Sequence, residues 1–99
     1  MSYTVIWEFR VAPARRGRFE AAYAPNGDWV ALFSQAKGYC GTQLLHSADE
    51  AGRYVTIDRW DSRDAFLSFK RKHADAYCML DRQLEPLTLS EKPIGAFEA

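Results

Sequence analysis

The stretch Tyr54-Val55-Thr56-Ile57-Asp58-Arg59-Trp60 is almost continuously β-branched or aromatic, and Asp61-Ser62 follows it at once. Side chains of those shapes fit the pleated, half-buried surface of a sheet. Asp or Ser then supplies an oxygen for the first free N–H groups of a helix. Beyond the cap, Ala65, Phe66, Phe69, His73, Ala76, Tyr77, Leu80 and Leu84 recur at helical spacing. One strand therefore hands over directly to one long amphipathic helix, expected from Ser62 to about Leu84. Such a chain folds by laying helices on a sheet.

The remaining segments can be ordered around this unit. Tyr3 to Val11 alternates, with Tyr3, Val5, Trp7, Phe9 and Val11 apolar, and reads as a first strand that Pro13 stops. A helix follows from about Arg15, carrying Phe19, Ala22 and Tyr23 on one face, and Pro25-Asn26-Gly27 interrupts it. Arg15, Arg16 and Arg18 oppose the helix dipole there and read as a solvated turn, with an anion site as the lesser alternative. Asp28 is positioned to cap a short piece from Trp29 to Gln35, which Lys37-Gly38 ends. Thr42 to His46 is a second strand, Ser47 to Gly52 a hairpin turn, and Arg53 to Trp60 the third strand. Glu85-Pro86 closes the long helix. Leu87 to Ser90 is the fourth strand, with Pro93 restricting it to an edge or bulge and Ile94 to Phe97 as a candidate extension.

The order strand, helix, strand, strand, helix, strand predicts an α+β, ferredoxin-like β-α-β-β-α-β fold over residues 1–99. Its four-stranded antiparallel sheet carries helices on one face. The handedness rule further predicts the first and third strands side by side and parallel in the middle. Val55, Ile57 and Arg59 are expected beneath the helices. Ile6, Glu8, Arg10, Tyr54, Thr56, Asp58 and Trp60 are expected on the open face, where a second copy would cover them in a dimeric α+β barrel.

Composition narrows the classes of function. Thirteen basic and thirteen acidic residues cancel, so the electrostatic footprint of a nucleic-acid or membrane-surface binder is missing. Cys40 and Cys78 have no metal-ligand spacing, and no run approaches a membrane span. Two reduced thiols and a cytoplasmic location are the expectation. No phosphate loop, dinucleotide fingerprint, zinc spacing or serine elbow is present. The aromatic share of 14% is high for a small domain.

The strand Tyr3 to Val11, Phe19-Glu20-Ala21-Ala22-Tyr23, Gly27-Asp28-Trp29, Gly38-Tyr39-Cys40-Gly41-Thr42, and Arg59-Trp60 before Ser62 and Ala65-Phe66 together resemble the antibiotic biosynthesis monooxygenase family of the dimeric α+β barrels. The resemblance implies cofactor-free oxygenation of aromatic polyketides, anthrones or quinols in a homodimer. Haem-degrading relatives use an asparagine on the first strand and a tryptophan and a histidine on the last helix. Trp7, Phe69 and Met79 occupy those places here, so haem has no axial ligand. No cofactor and no metal are expected.

Several residues are candidates for chemistry, each with a plainer alternative. His73, on the apolar side of the long helix, can serve as the catalytic base or be a half-buried histidine bonded to backbone. Trp7, Tyr23, Trp29, Phe33, Phe69 and Tyr77 can wall a cleft for a flat aromatic substrate or simply fill the core. Arg59 can anchor a substrate oxygen at the cleft mouth or form a surface salt bridge. Glu8 or Asp58 can be a base or can pair with Arg10 at the interface. Lys70-Arg71-Lys72 spreads around its helix and reads as solvated stems, and both cysteines read as inert. Besides the oxygenase, two functions stay open: a non-catalytic dimer that binds a small ligand, and an isomerase or cyclase on the same scaffold.

Overall fold

The computed structural model describes all 99 residues. Its strands are β1 (Tyr3–Arg10), β2 (Tyr39–His46), β3 (Arg53–Trp60) and β4 (Ser90–Glu98). Helices α1 (Arg16–Tyr23) and α2 (Asp28–Phe33) lie between β1 and β2, and α3 (Arg63–Lys72) and α4 (Ala74–Leu84) between β3 and β4. The sheet order is β2-β3-β1-β4, as the ferredoxin-like pattern requires. Every pairing is antiparallel. The expectation that the first and third strands run parallel is therefore corrected. The crossover through α1 and α2 makes β2 the strand parallel to β1, and the hairpin then folds β3 back between them.

Register decides which residues meet the helices. β1 pairs with β3 as Tyr3↔Trp60, Trp7↔Thr56 and Phe9↔Tyr54. Odd positions of β1 thus share a face with even positions of β3. Tyr54, Thr56 and Trp60 are 4%, 5% and 0% exposed. Tyr54 packs on Phe19 of α1 at 4.7 Å between ring centroids, and Trp60 packs on Phe66 and Phe69 of α3. The face assignment of β3 read from the sequence is inverted: Tyr54, Thr56, Asp58 and Trp60 lie under the helices. Val55, Ile57 and Arg59 join Ile6, Glu8 and Arg10 on the open side. A one-residue shift in alternation exchanges the two faces completely.

Local chemistry explains most element ends. The Ala65 N–H donates to Ser62 Oγ at 3.1 Å, so Ser62 caps α3. Gly27, not Asp28, is the N-cap of α2, and Asp28 sits in the first turn, where its charge favours the dipole and meets Arg18 at 3.4 Å. Gly38 has φ +95°, and a Cβ there would stand 2.7 Å from Ala65 Cβ. That glycine lets the chain leaving α2 lie directly against α3.

Two expected elements differ. The long helix breaks at His73, whose φ and ψ of −114° and 27° leave the helical region. The break costs little hydrogen bonding, because the His73 N–H still donates to Phe69 O and the Tyr77 N–H to His73 O. The fourth strand starts later than expected, leaving out Leu87 to Leu89, and includes the extension over Ile94 to Phe97. Glu85–Leu87 is a 3-10 turn that buries Leu87, and β4 begins at Ser90. Its register against β1 shifts between Ile6 and Trp7, next to Pro93, which an edge strand tolerates. No helix is long and apolar enough to cross a membrane.

Candidate active site

A cleft of about 120 Å³ opens between the sheet and the helices. Trp7 and Phe9 of β1, Thr42 of β2, and Thr56 and Asp58 of β3 contribute from the sheet. Tyr23 of α1, Trp29 and Phe33 of α2, Tyr77 and Asp81 of α4, and Glu91 of β4 complete the lining. The walls form one aromatic cluster: Trp29 meets Tyr23 at 6.3 Å, Tyr77 at 5.0 Å and Phe33 at 5.7 Å. Such walls suit a flat ring system.

Asp58 is the polar centre of this surface. Thr42 Oγ1 donates to Asp58 Oδ1 at 2.6 Å, and the Tyr39 hydroxyl lies 2.5 Å from the same threonine oxygen. An ionised carboxylate only accepts, so the protons run from Tyr39 to Thr42 to Asp58. Asp58 forms no ion pair, with Arg10 or any other cation. Burial pushes its carboxyl up to about 6, and the Thr42 hydrogen bond partly counters that rise. A carboxylate in that range is poised to take up and release a proton near neutrality.

The neighbouring groups are hydrogen donors. Burial pushes Tyr77 up to about 12, with Asp81, Asp58 and Glu91 adding to the effect. Tyr23 is likewise pushed to about 12, chiefly by burial, with Glu91 and Asp81 adding. Both phenols keep their protons. Trp29 Nε1 is buried without an acceptor, an exception to the rule that buried donors are paired. Glu91 is raised by burial first and then by Asp81 and Glu85. The lining therefore holds three carboxylates, Asp58, Asp81 and Glu91, and no Lys, Arg or His.

Of the residues singled out from the sequence, Trp7, Tyr23, Trp29, Phe33 and Tyr77 come together here. Phe69 does not. It is 1% exposed and packs edge-on behind Phe33 at 5.3 Å. Arg59 is on the opposite face of the sheet and donates to Gln43 at 2.7 Å. His73 stacks on Phe69 at 5.2 Å and lines a separate hollow beside Lys72. The sequence reading missed Thr42, Asp81 and Glu91 and turned Thr56 and Asp58 toward a partner. No local signal chooses the face of β3, since Val55 and Ile57 alternate with Tyr54 and Trp60; the pairing with β1 does. Glu8 is bound by Arg53 at 2.5 Å on the open face, away from the cleft. Cys40 and Cys78 are exposed, and Cys40 donates to Asp61.

The fold has solved counterparts. SnoaB, a cofactor-independent oxygenase from Streptomyces nogalater, superposes with a TM-score of 0.77 at 27% identity, over 99% of this chain and 92% of its own. A point mutant of the same oxygenase gives a TM-score of 0.81 at 26% identity over the same shares. A Bordetella bronchiseptica protein described as a candidate antibiotic biosynthesis monooxygenase shares the fold, with a TM-score of 0.77 at 23% identity over 99% and 96% of the two chains. No curated protein sequence matches this chain. The family model for antibiotic biosynthesis monooxygenases matches residues 2–75, from β1 through the α3–α4 junction. Matching sequence over that span and matching structure over nearly the whole chain lead to one assignment: this chain belongs to the antibiotic biosynthesis monooxygenase family.

Proposed function

We propose that the chain is a cofactor-independent monooxygenase of a flat anthrone, polycyclic phenol or hydroquinone, with Asp58 as its base. The observation that carries this reading is an unpaired carboxylate, set under the helices and facing an aromatic cleft beside phenol and indole donors. The family membership and the likeness to SnoaB support the reaction class.

For an anthrone the steps balance without a cofactor. Asp58 takes a proton from the reactive CH2, and the resulting anion passes an electron to O2. Recombination forms a peroxide, and loss of water leaves C=O, so CH2 and O2 become C=O and H2O. Proton transfer from substrate to Asp58 moves negative charge without creating any. The Tyr23 and Tyr77 hydroxyls and the Trp29 N–H are the donors that can hold the substrate oxygen as it becomes an anion. With Asp81 and Glu91 also in the lining, the cleft favours neutral or cationic substrates over carboxylated ones.

The test is oxygen uptake with a panel of anthrones and hydroquinones, each compared with its carboxylated analogue. No uptake from any neutral member of the panel would remove the oxygenase reading. Turnover that persists under nitrogen would identify an isomerase or cyclase using the same base.

The open face supports a homodimer. Ile6, Val55 and Ile57 lie there beside the Glu8–Arg53 ion pair, and Leu45 and Phe97 are 47% and 51% exposed. A second sheet packed on this face would cover them and complete an eight-stranded barrel. Sedimentation showing a monomer at micromolar concentration would exclude that assembly.

A further inference from the structure

The α3–α4 break borders a second hollow, of about 200 Å³, distinct from the cleft. Its polar lining is Gln35 and Lys37 from the chain leaving α2, Ser68 and Lys72 from α3, and His73 at the break. Phe69 is part of its apolar lining, and the ring contact of Phe69 with Phe33 separates hollow from cleft. Every one of the five polar side chains can donate a hydrogen bond. None of them makes a side-chain hydrogen bond or an ion pair within the protein. No carboxylate lines the space, and Asp61, close to Gly38, is engaged by Cys40 at 3.1 Å.

The arrangement is built by the fold and not by one run of sequence. Lys37 and Lys72 belong to segments separated by the whole β2–β3 hairpin, and they line one hollow because Gly38 lets the chain after α2 lie against Ala65. Lys70 and Arg71, the other members of the basic run, do not line the hollow. Two positive charges with hydroxyl, amide and imidazole donors around one open hollow match an anion with several oxygens.

We propose that this hollow binds a small oxyanion, a phosphate or the phosphate end of a small ester, between Lys37 and Lys72 with Ser68 and His73 as donors. The site does not depend on what the cleft catalyses. It does touch the cleft's frame, since His73 O accepts from the N–H of Tyr77, a cleft wall. An anion there would steady the start of α4.

The experiment is an NMR titration of the isotope-labelled protein with inorganic phosphate, at ionic strength held constant with chloride. Saturating shifts are expected at the Ser68 and His73 amides and the His73 ring. Each of Lys37→Gln and Lys72→Gln should weaken binding about tenfold, the effect of losing one charge-assisted hydrogen bond. Both lysines are exposed, so the variants should fold, and unchanged shifts elsewhere verify this. A parallel titration with glycerol phosphate separates the sources: tighter binding than phosphate identifies an ester, weaker binding the free anion, and either keeps the site. Shifts that do not saturate, that chloride alone reproduces, or that both variants leave unchanged overturn it.

Discussion

Glu8 and Asp58 sit on the two adjacent central strands, on opposite faces of one sheet, and their surroundings give them opposite characters. On the open face, Arg53 binds Glu8 at 2.5 Å and holds its carboxyl below the usual range. On the helix face, Asp58 has only the Thr42 hydroxyl, and burial lifts its carboxyl to about 6. A paired carboxylate is a fixed charge, useful for holding two surfaces in register. An unpaired one drawn away from water is a proton acceptor whose ionised form the fold tolerates at a cost. On the proposed function, the difference assigns chemistry to the helix side and assembly to the open side.

The largest test of that division is Asp58→Asn, which keeps the shape and an acceptor for Thr42 but removes the base. Turnover in the oxygen-uptake assay should fall by about 10²–10⁴-fold, the range for a lost general base, with KM little changed. A loss below tenfold would take the base role from Asp58.

The same substitution should stabilise the protein. Asp58 is raised in the fold from an ordinary value of 3.8 to about 6, so the protonated form is favoured by folding. Its contribution is full below about pH 4 and is lost as the pH rises through about 6. Denaturant melts at pH 7 should show Asp58→Asn more stable by about 3 kcal/mol, an order-of-magnitude figure from the gap between those two values. At pH 3.5 the variant and parent should converge. Equal stability at both pH values would mean that Asp58 is better solvated than its burial implies.

A smaller effect is expected from Thr42→Val. With the hydroxyl gone, nothing counters burial, and the acid limb of kcat/KM should move up from about 6 by about one pH unit. A limb that stays in place would assign it to another group.

Glu8→Gln should matter least to chemistry, with turnover unchanged within about twofold. Its mark belongs on folding. Because Arg53 of the same chain depresses Glu8, the pair's contribution to folding is present above the ordinary carboxylate range and disappears as the pH falls through the depressed value. Denaturant melts should show Glu8→Gln slightly less stable than the parent at neutral pH, with the gap closing on acidification. An Asp58-like loss of turnover in Glu8→Gln would break the division.

Much of this frame was legible beforehand. The Ser62 cap, the hairpin from Ser47 to Gly52 and the sheet-plus-helices pattern rest on local chemistry, and local chemistry is written in short stretches. The faces of β3 were not legible, because Val55 and Ile57 are as apolar as Tyr54 and Trp60, and alternation alone has two solutions. Pairing with β1 selects one of them, and that pairing joins residues far apart along the chain. The break at His73 carries no proline or glycine to announce it. Asp81 and Glu91 become cleft residues only when α4 and β4 converge. His73 was singled out for its imidazole and its place on the apolar side of the helix, but the fold sets it on a hollow it shares with Lys37 and Lys72.

The strict alternation of β3 also bears on how such a chain can change over generations. Inserting or deleting one residue between Tyr54 and Asp58 would send the base to the outer face and Arg59 into the cleft. The turn from Ser47 to Gly52, by contrast, can lengthen or shorten without touching either. Descendants of this sequence are therefore free to drift in the hairpin tip, while the count of residues between Tyr54 and Asp58 stays fixed.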